Sequence, residues 1–363
     1  MSSTDRSASS RMRDLLRQPA FWGAVAIVVL LVLNTIKDPS YLSVTVSPTT
    51  GYLVGNVIDI LRASAPILMI AVGMTLVIAT GGIDLSVGSV MAVGGAVSMQ
   101  FLSAMGDSTS VGTALAAIGL SILITAVLGL INGALVAYVG LQPFISTLVM
   151  MLAARGIAKV ITGGQNTAAQ SEPFRWMVNG YVFGVPVVFL LAIAIVVVVA
   201  LVVRRTALGL MIEAIGINPK ASRMAGIRPR GLLLTVYILS GALAGIAGMF
   251  SVGTVMTVDV SQTGYLMELD AILAVVIGGT SLAGGKFSLG GAVVGALLIA
   301  TLDKTVLFLG ISSSATPAFK AAVIVLLCLA QSQRVRSWFA RRRSAPPPAS
   351  IATSEPVREG VAA

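Results

Sequence analysis

The sequence predicts an all-α polytopic membrane protein of about ten transmembrane helices, in two pseudo-repeated halves with both termini in the cytoplasm. Three observations lead there. Of 363 residues, 56% are hydrophobic and only 10% are charged, whereas a soluble domain is about a quarter charged. Ten apolar runs reach or approach the ~20 residues that a helix needs to cross a bilayer. The net charge of +10 collects in two tails and one internal loop, as it does in cytoplasmic segments of membrane proteins.

The expected spans are 20–37, 60–80, 86–105, 112–139, 143–161, 184–203, 231–251, 267–283, 288–308 and 316–332. The first follows Arg11, Arg13 and Arg17, which gives it the outline of a signal peptide. It runs on into Asn34-Thr35-Ile36-Lys37-Asp38-Pro39 with no small-x-small cleavage site, so it reads as a retained span. The second and third flank Gly81-Gly82-Ile83-Asp84-Leu85-Ser86, and the eighth and ninth flank Gly278-Gly279. Around this transmembrane domain, residues 20–333, lie an N-terminal tail (1–19) and a Pro/Ala/Ser-rich C-terminal tail (334–363) that reads as disordered.

Orientation follows from the basic residues. Arg6, Arg11, Arg13 and Arg17 precede the first span. Arg204, Arg205, Lys220, Arg223, Arg228 and Arg230 occupy the loop 204–230 after the sixth. Arg334, Arg336, Arg341, Arg342 and Arg343 follow the tenth. Each cluster stands after an even number of crossings, so all three fall on the cytoplasmic side.

Composition also excludes chemistry. The chain has no histidine and one cysteine, Cys328. That rules out an intrachain disulfide and removes the usual general base and most transition-metal sites. No catalytic, cofactor-binding or metal-binding residues are expected.

A carboxylate beside a glycine pair, between two membrane-like runs, is costly unless it faces protein or water. A broken helix is tolerated in a membrane only where it is buried or lines a cavity. Gly81, Gly82, Leu85 and Gly88 have counterparts at Gly278, Gly279, Leu282 and Gly285, at a constant spacing of 197 residues. Paired glycine-interrupted spans point to a transport pathway. Gly81, Gly82, Asp84, Ser86, Gly278 and Gly279 are therefore candidates for a pathway or gate; tight helix–helix contact without a ligand is the other reading. Glycines four apart (129 and 133, 241 and 245, 291 and 295) predict close packing of helix backbones.

The loop 204–230 carries a helix of its own. Asn218 is a preferred N-cap and Pro219 belongs at the first helical position. Gly226 supplies a left-handed stop. Ala221, Met224 and Ala225 share one face, with Lys220 and Arg223 on another. So short a helix needs a surface to pack on. Docking on a soluble partner and lying on anionic lipid are both open, and the small, Ala-rich face makes a poor lipid anchor.

The stretch Glu213-Ala214-Ile215-Gly216-Ile217-Asn218-Pro219-Lys220-Ala221-Ser222-Arg223-Met224-Ala225-Gly226-Ile227 resembles the coupling loop of ATP-binding-cassette permeases of the ribose/xylose/galactose class. Gly82-Ile83-Asp84-Leu85-Ser86-Val87-Gly88 and 270–285 resemble two further hallmarks of that family. The likeness spans roughly residues 55–333. Segments 58–62, 73–80 and 142–144 resemble its galactofuranose-importing branch. Ile215 departs from the broader Glu-Ala-Ala form of the loop. The resemblance implies a monosaccharide importer of the cell (inner) membrane. Its parts would be a pair of permeases, a separate cytoplasmic ATPase that binds ATP and Mg, and an extracytoplasmic sugar-binding protein. Glu213, Ala214, Gly216, Asn218, Pro219, Arg223 and Gly226 would couple the chain to the ATPase.

The sequence supports the absence of an ATP site in this chain. Around Lys286, Thr280 stands where a phosphate-binding loop needs Gly, and Phe287 where it needs Ser or Thr. Two rivals remain to be weighed. An ion-coupled secondary transporter would use Asp59, Asp84, Glu268 or Asp270, but has no need of a docking helix. A membrane enzyme acting on lipid-linked sugars would need clustered acids or a histidine.

Overall fold

The computed structural model describes residues 18–47 and 52–331. The two expected tails lie outside those residues, apart from Gln18 and Pro19. In chain order the helices are α1 (Pro19–Lys37), α2 (Asn56–Ala79), α3 (Val87–Met105), α4 (Val111–Ala134), α5 (Pro143–Ile161), α6 (Glu172–Asn179), α7 (Val187–Arg205), α8 (Leu208–Ile217), α9 (Pro219–Met224), α10 (Pro229–Val255), α11 (Met267–Ile277), α12 (Leu289–Leu309) and α13 (Thr316–Gln331). A π-helical turn, Leu135–Val139, extends α4.

Among the described residues, eight helices are long and apolar enough to span a membrane: α1, α2, α3, α4 with its π turn, α5, α7, α10 and α12. They coincide with eight of the ten expected spans to within a few residues. The run expected at 267–283 becomes α11, which stops after 11 residues, or about 16 Å. Gly278 and Gly279 close it early. The run expected at 316–332 is α13, with 16 residues. Three two-residue antiparallel ladders tie loops together: Thr45–Val46 with Leu53–Val54, Thr167–Ala168 with Thr257–Val258, and Tyr181–Val182 with Val185–Pro186.

Helix α2 is the axis of the bundle. Its most apolar window is 78% buried, against 17% for α1, so α2 is enclosed by protein while α1 lies at the periphery. It packs against α10, α12, α11 and α7. Between the halves the packing is crossed. α1, which opens the first half, packs on α12, and α10, which opens the second, packs on α3.

Lipid tails are as apolar as leucine, so helices in a bilayer associate through close van der Waals fit and small residues. The three glycine pairs expected to pack tightly do so. A Cβ at Gly129 would stand 2.3 Å from the Tyr237 carbonyl oxygen, and one at Gly241 would stand 2.4 Å from that of Thr125. One at Gly295 would lie 1.9 Å from that of Ala274. Each contact presses glycine against rigid backbone, where no side chain can yield.

Gly295→Val is therefore expected to abolish the folded, monodisperse protein on size-exclusion chromatography. Gly119, also inside a helix, has open space around it. Gly119→Ala should leave thermal stability unchanged or raise it by about 0.5–1 kcal/mol, the usual gain for removing glycine from a helix interior.

Candidate functional site

The first glycine break starts from ordinary helix chemistry. Gly81 adopts φ +85°, a left-handed conformation that glycine enters without penalty. Its N–H donates to the Ile78 carbonyl at 2.8 Å and that of Gly82 to the Val77 carbonyl at 3.2 Å, closing α2 in a Schellman motif. The chain then runs without helix to Ser86, where α3 begins. Asp84 lies in this link and is 2% exposed.

Four elements supply its surroundings. One Asp84 carboxylate oxygen, Oδ1, accepts from the Ser86 N–H at 3.0 Å and the Ser86 hydroxyl at 2.6 Å. The other, Oδ2, accepts from the Ser240 hydroxyl of α10 at 3.0 Å. The Asn132 amide of α4 donates to Ser86 Oγ at 2.9 Å, and the Ser146 hydroxyl of α5 donates to Asn132 Oδ1 at 3.3 Å. Thr147 donates to the Ile83 carbonyl at 3.1 Å. The carboxyl group is thus held by short donors, which is how a buried acid without an ionic partner is tolerated. The Tyr237 hydroxyl is buried beside this link without a hydrogen-bond partner, and a Cβ at Gly82 would stand 2.9 Å from it.

The second break repeats the closure with one difference. Gly279, at φ +92°, is the left-handed residue, and the Gly279 and Thr280 N–H groups donate to Val276 and Val275. Geometrically Gly81 therefore matches Gly279, one position away from the pairing with Gly278 that the sequence spacing suggested. Gly278 instead gives room to α12: a Cβ there would lie 2.4 Å from the Gly291 carbonyl carbon. The second link, 278–288, is also longer than the first, 80–86. It holds no acid and ends at Ser288, whose hydroxyl caps α12 by accepting from Gly291 N–H at 3.0 Å.

The two breaks meet at one end of the bundle. The Gly285 N–H donates to the Ala79 carbonyl at 2.9 Å. A Cβ at Gly216 would lie 1.9 Å from that same oxygen and 2.3 Å from Gly285 N, and one at Gly284 would lie 3.0 Å from Gly81 Cα. Gly216 belongs to α8, so the loop 204–230 is seated on the junction of both breaks.

Beyond Gly216 the chain turns into α9. The Asn218 side chain accepts from the N–H groups of Lys220 and Ala221, both at 3.0 Å, with Pro219 at the first helical position. Gly226, at φ +86°, ends the turn. Only Ser222 of α9 is buried, while Lys220, Ala221, Arg223 and Met224 are exposed, Met224 at 89%. Glu213 and Ala214 lie half-buried in α8.

Sequence reasoning found most of these residues singly, and the structure gathers them into two connected places. Asp84 and Ser86 form the polar hub. Gly81, with Gly216, Gly284 and Gly285, forms the glycine junction. Asn132 and Thr147, polar residues inside two of the expected spans, both serve the first break. Thr75 bonds to its own helix at the Ala71 carbonyl, 2.7 Å away, and Gln142 is exposed. Ser240 was missed. It directly precedes the glycine pair at 241 and 245, a position that could have drawn attention to it. Helix α8 was missed because Leu208-Gly209-Leu210-Met211-Ile212 carries no cap or stop signal.

Residues 56–330 match the family described as branched-chain amino acid transport system / permease component. The chain belongs to that family. Three relatives share most of its length. The fructose import permease protein FruF of Bifidobacterium longum is 51% identical, over 90% of this chain and 91% of its own. The galactofuranose transporter permease protein YtfT of Escherichia coli is 42% identical, over 85% and 89%. The ribose import permease protein RbsC of Escherichia coli is 38% identical, over 85% and 92%. No solved structure matches the chain.

In this permease three of the four acids that an ion-coupled carrier would use are engaged, Asp84 among them in the hub. Asp59 pairs with Lys304 at 2.6 Å, and Asp270 with Lys320 at 2.8 Å. Lys320 also meets Asp303 at 2.8 Å.

Asp84→Asn keeps the shape of the hub but replaces one acceptor oxygen with a donor facing hydroxyls. Leaving a buried donor or acceptor unmatched costs about 1–3 kcal/mol. The variant should fall in thermal stability by that order and lose uptake. Ser240→Ala should fall by less, and the two changes should be non-additive in a double-mutant cycle.

Proposed function

We propose that this chain is the membrane-spanning permease subunit of an ATP-driven importer for a neutral monosaccharide. A separate cytoplasmic ATPase binds ATP and Mg, and an extracytoplasmic binding protein delivers the sugar. The observation that carries the reading is the knob α9: a short, rigidly capped helix with an exposed Met224, seated through Gly216 on the junction of both broken helices. A secondary transporter has no use for such a knob, and two of its candidate acids, Asp59 and Asp270, are tied in ion pairs.

In this reading Pro219 to Gly226 enters a groove on the ATPase, with Arg223 as a docking charge. Glu213, Ala214 and Gly216 connect that contact to the breaks. Gly81, Gly82, Asp84, Ser86, Gly278 and Gly279 lie where docking strain reaches the pathway. The chain crosses the cell membrane ten times, with α11 and its link making the eighth crossing and α13 the tenth. Both termini are then cytoplasmic, as the basic clusters require. Two permeases, identical or different, present two knobs to two ATPase units in a closed two-fold arrangement.

The relatives bear on the cargo. The fructose permease, at 51% identity, stands nearer than the galactofuranose permease at 42%. This favours fructose over the galactofuranose suggested by short motifs. Both are neutral polyols.

Reconstitution with the ATPase and binding protein tests the reading. Uptake of radiolabelled D-fructose or D-ribose should require ATP and resist proton and sodium ionophores. Persistence without the ATPase would overturn it. Met224→Asp and Arg223→Glu should reduce ATPase co-purification about tenfold or more, as hot-spot changes do, without lowering permease stability, because both residues are exposed. Gly226→Val should abolish uptake, since a β-branched residue at positive φ is a steric outlier.

A further inference from the structure

At the end of the bundle away from α9, the first turns of α2, the last turns of α10 and the loop before α11 line an open cavity of about 650 Å³. That size lies within the ~300–1,000 Å³ of small-molecule sites. Resting on the sugar-import reading above, we propose that this cavity is a binding station for one neutral sugar molecule on its way into the bundle.

Its largely apolar wall carries a set of polar and charged side chains. Asp59 and Arg62 come from α2, one helical turn apart, and Thr254 comes from α10. Asp303 of α12 and Gln262 of the loop complete the ring. Intramembrane ionisable groups are retained for function. These groups are also held in place. The Arg62 guanidinium donates to the Tyr181 hydroxyl and lies 5.3 Å from the centre of that ring. Tyr181 in turn stacks on Tyr52 at 4.7 Å. Arg62 Nε is buried with no hydrogen-bond partner. Pro66 lines the cavity inside α2 and has no N–H, so the Arg62 carbonyl lacks its helical donor.

The charges select against ions. Asp59 is paired with Lys304, and Lys320 is shared by Asp303 and Asp270. The lining itself carries Asp59, Asp303 and Arg62, and the two lysines that pair with its acids stand outside it. A wall of compensated charges offers fixed donors and acceptors without a net field. Hydroxyls, which donate and accept, suit it better than a carboxylate or an ammonium would. Tyr265, 62% exposed at the rim, adds an aromatic face for the apolar side of a sugar ring. Ile67 and Met91, both buried, also line the cavity. Met91 lies one turn along α3 from the Asp84 link.

The test uses the complete importer, with its ATPase and binding protein, in nanodiscs and proteoliposomes. In a Cys328→Ser background, Thr254→Cys is labelled with a maleimide. D-Fructose or D-ribose, whichever supports uptake, should slow labelling several-fold, and D-glucuronate should not. Gln262→Leu should weaken that protection and lower uptake about fivefold or more, as loss of one hydrogen bond does. ATP hydrolysis stimulated by the binding protein should persist. If Thr254→Cys itself loses uptake, Ser251→Cys in the same wall replaces it. Labelling that is indifferent to a transported sugar, or equally slowed by glucuronate, would overturn the proposal. Failure of the unmodified importer to take up any sugar would instead sink the import reading on which the proposal rests.

Discussion

A carboxylate inside a helical bundle must be satisfied by the bundle itself, because neither lipid nor bulk water reaches it. Asp84 imposes that demand, and much of the architecture meets it. The link 80–86 has to leave helical geometry for Asp84 to reach Ser86 and Ser240. Once it does, its own backbone groups need partners, which Thr147 supplies in part. Asn132 and Ser146 extend the network to α4 and α5. Four elements, the link, α4, α5 and α10, are thereby fixed relative to one another by directional bonds. Apolar packing in a membrane gives no such specificity.

The polar hub in turn requires glycine. Hydrogen bonds of 2.6–3.0 Å to Asp84 hold only if α10 approaches the link closely. A Cβ at Gly73 would already stand 3.1 Å from Ser240 Cα, so α2 and α10 are nearly in backbone contact beside the acid. The contacts at Gly129, Gly241 and Gly245 continue that approach along α4 and α10. Close packing and polar satisfaction are two aspects of one constraint: the short bonds need near backbones, and near backbones need residues without side chains.

Helix α2 joins the two ends of the molecule. Its first turns carry Asp59 and Arg62 in the wall of the cavity. Its last carbonyl, Ala79, is bonded by Gly285 and pressed by Gly216. A displacement of α8 and α9 therefore bears on the end of a helix that is buried along most of its length and cannot bend freely. The crossed packing of α1 on α12 and α10 on α3 holds each half's broken helix against the other half. The lateral charges are more modest contributors. The half-exposed Asp59–Lys304 pair contributes at most about 1 kcal/mol, and serves better to fix side-chain positions than to hold the bundle together.

Hydropathy, caps and glycine spacing are local properties, and they determined much by themselves. Eight spans, the start of α9 at Asn218-Pro219, its stop at Gly226 and the close-packing role of the glycine pairs were legible because each depends on residues within a turn or two. Family-specific motifs likewise made the transport class readable. Tertiary structure alone decided the rest. The run 267–283 is apolar enough to read as a span, but Gly279 turns it out of helix after Ile277, so a composition count overstates it. The repeat register shifted by one because closure depends on which glycine takes positive φ, which identity spacing does not report. Ser240 carries no signal of its own, and becomes a partner of Asp84 only through the approach of α10 across 156 residues of sequence. The convergence of Gly81, Gly216 and Gly285 was equally invisible. Such contacts join distant segments, and the chain records the small residues that permit them without recording which backbone fills the space.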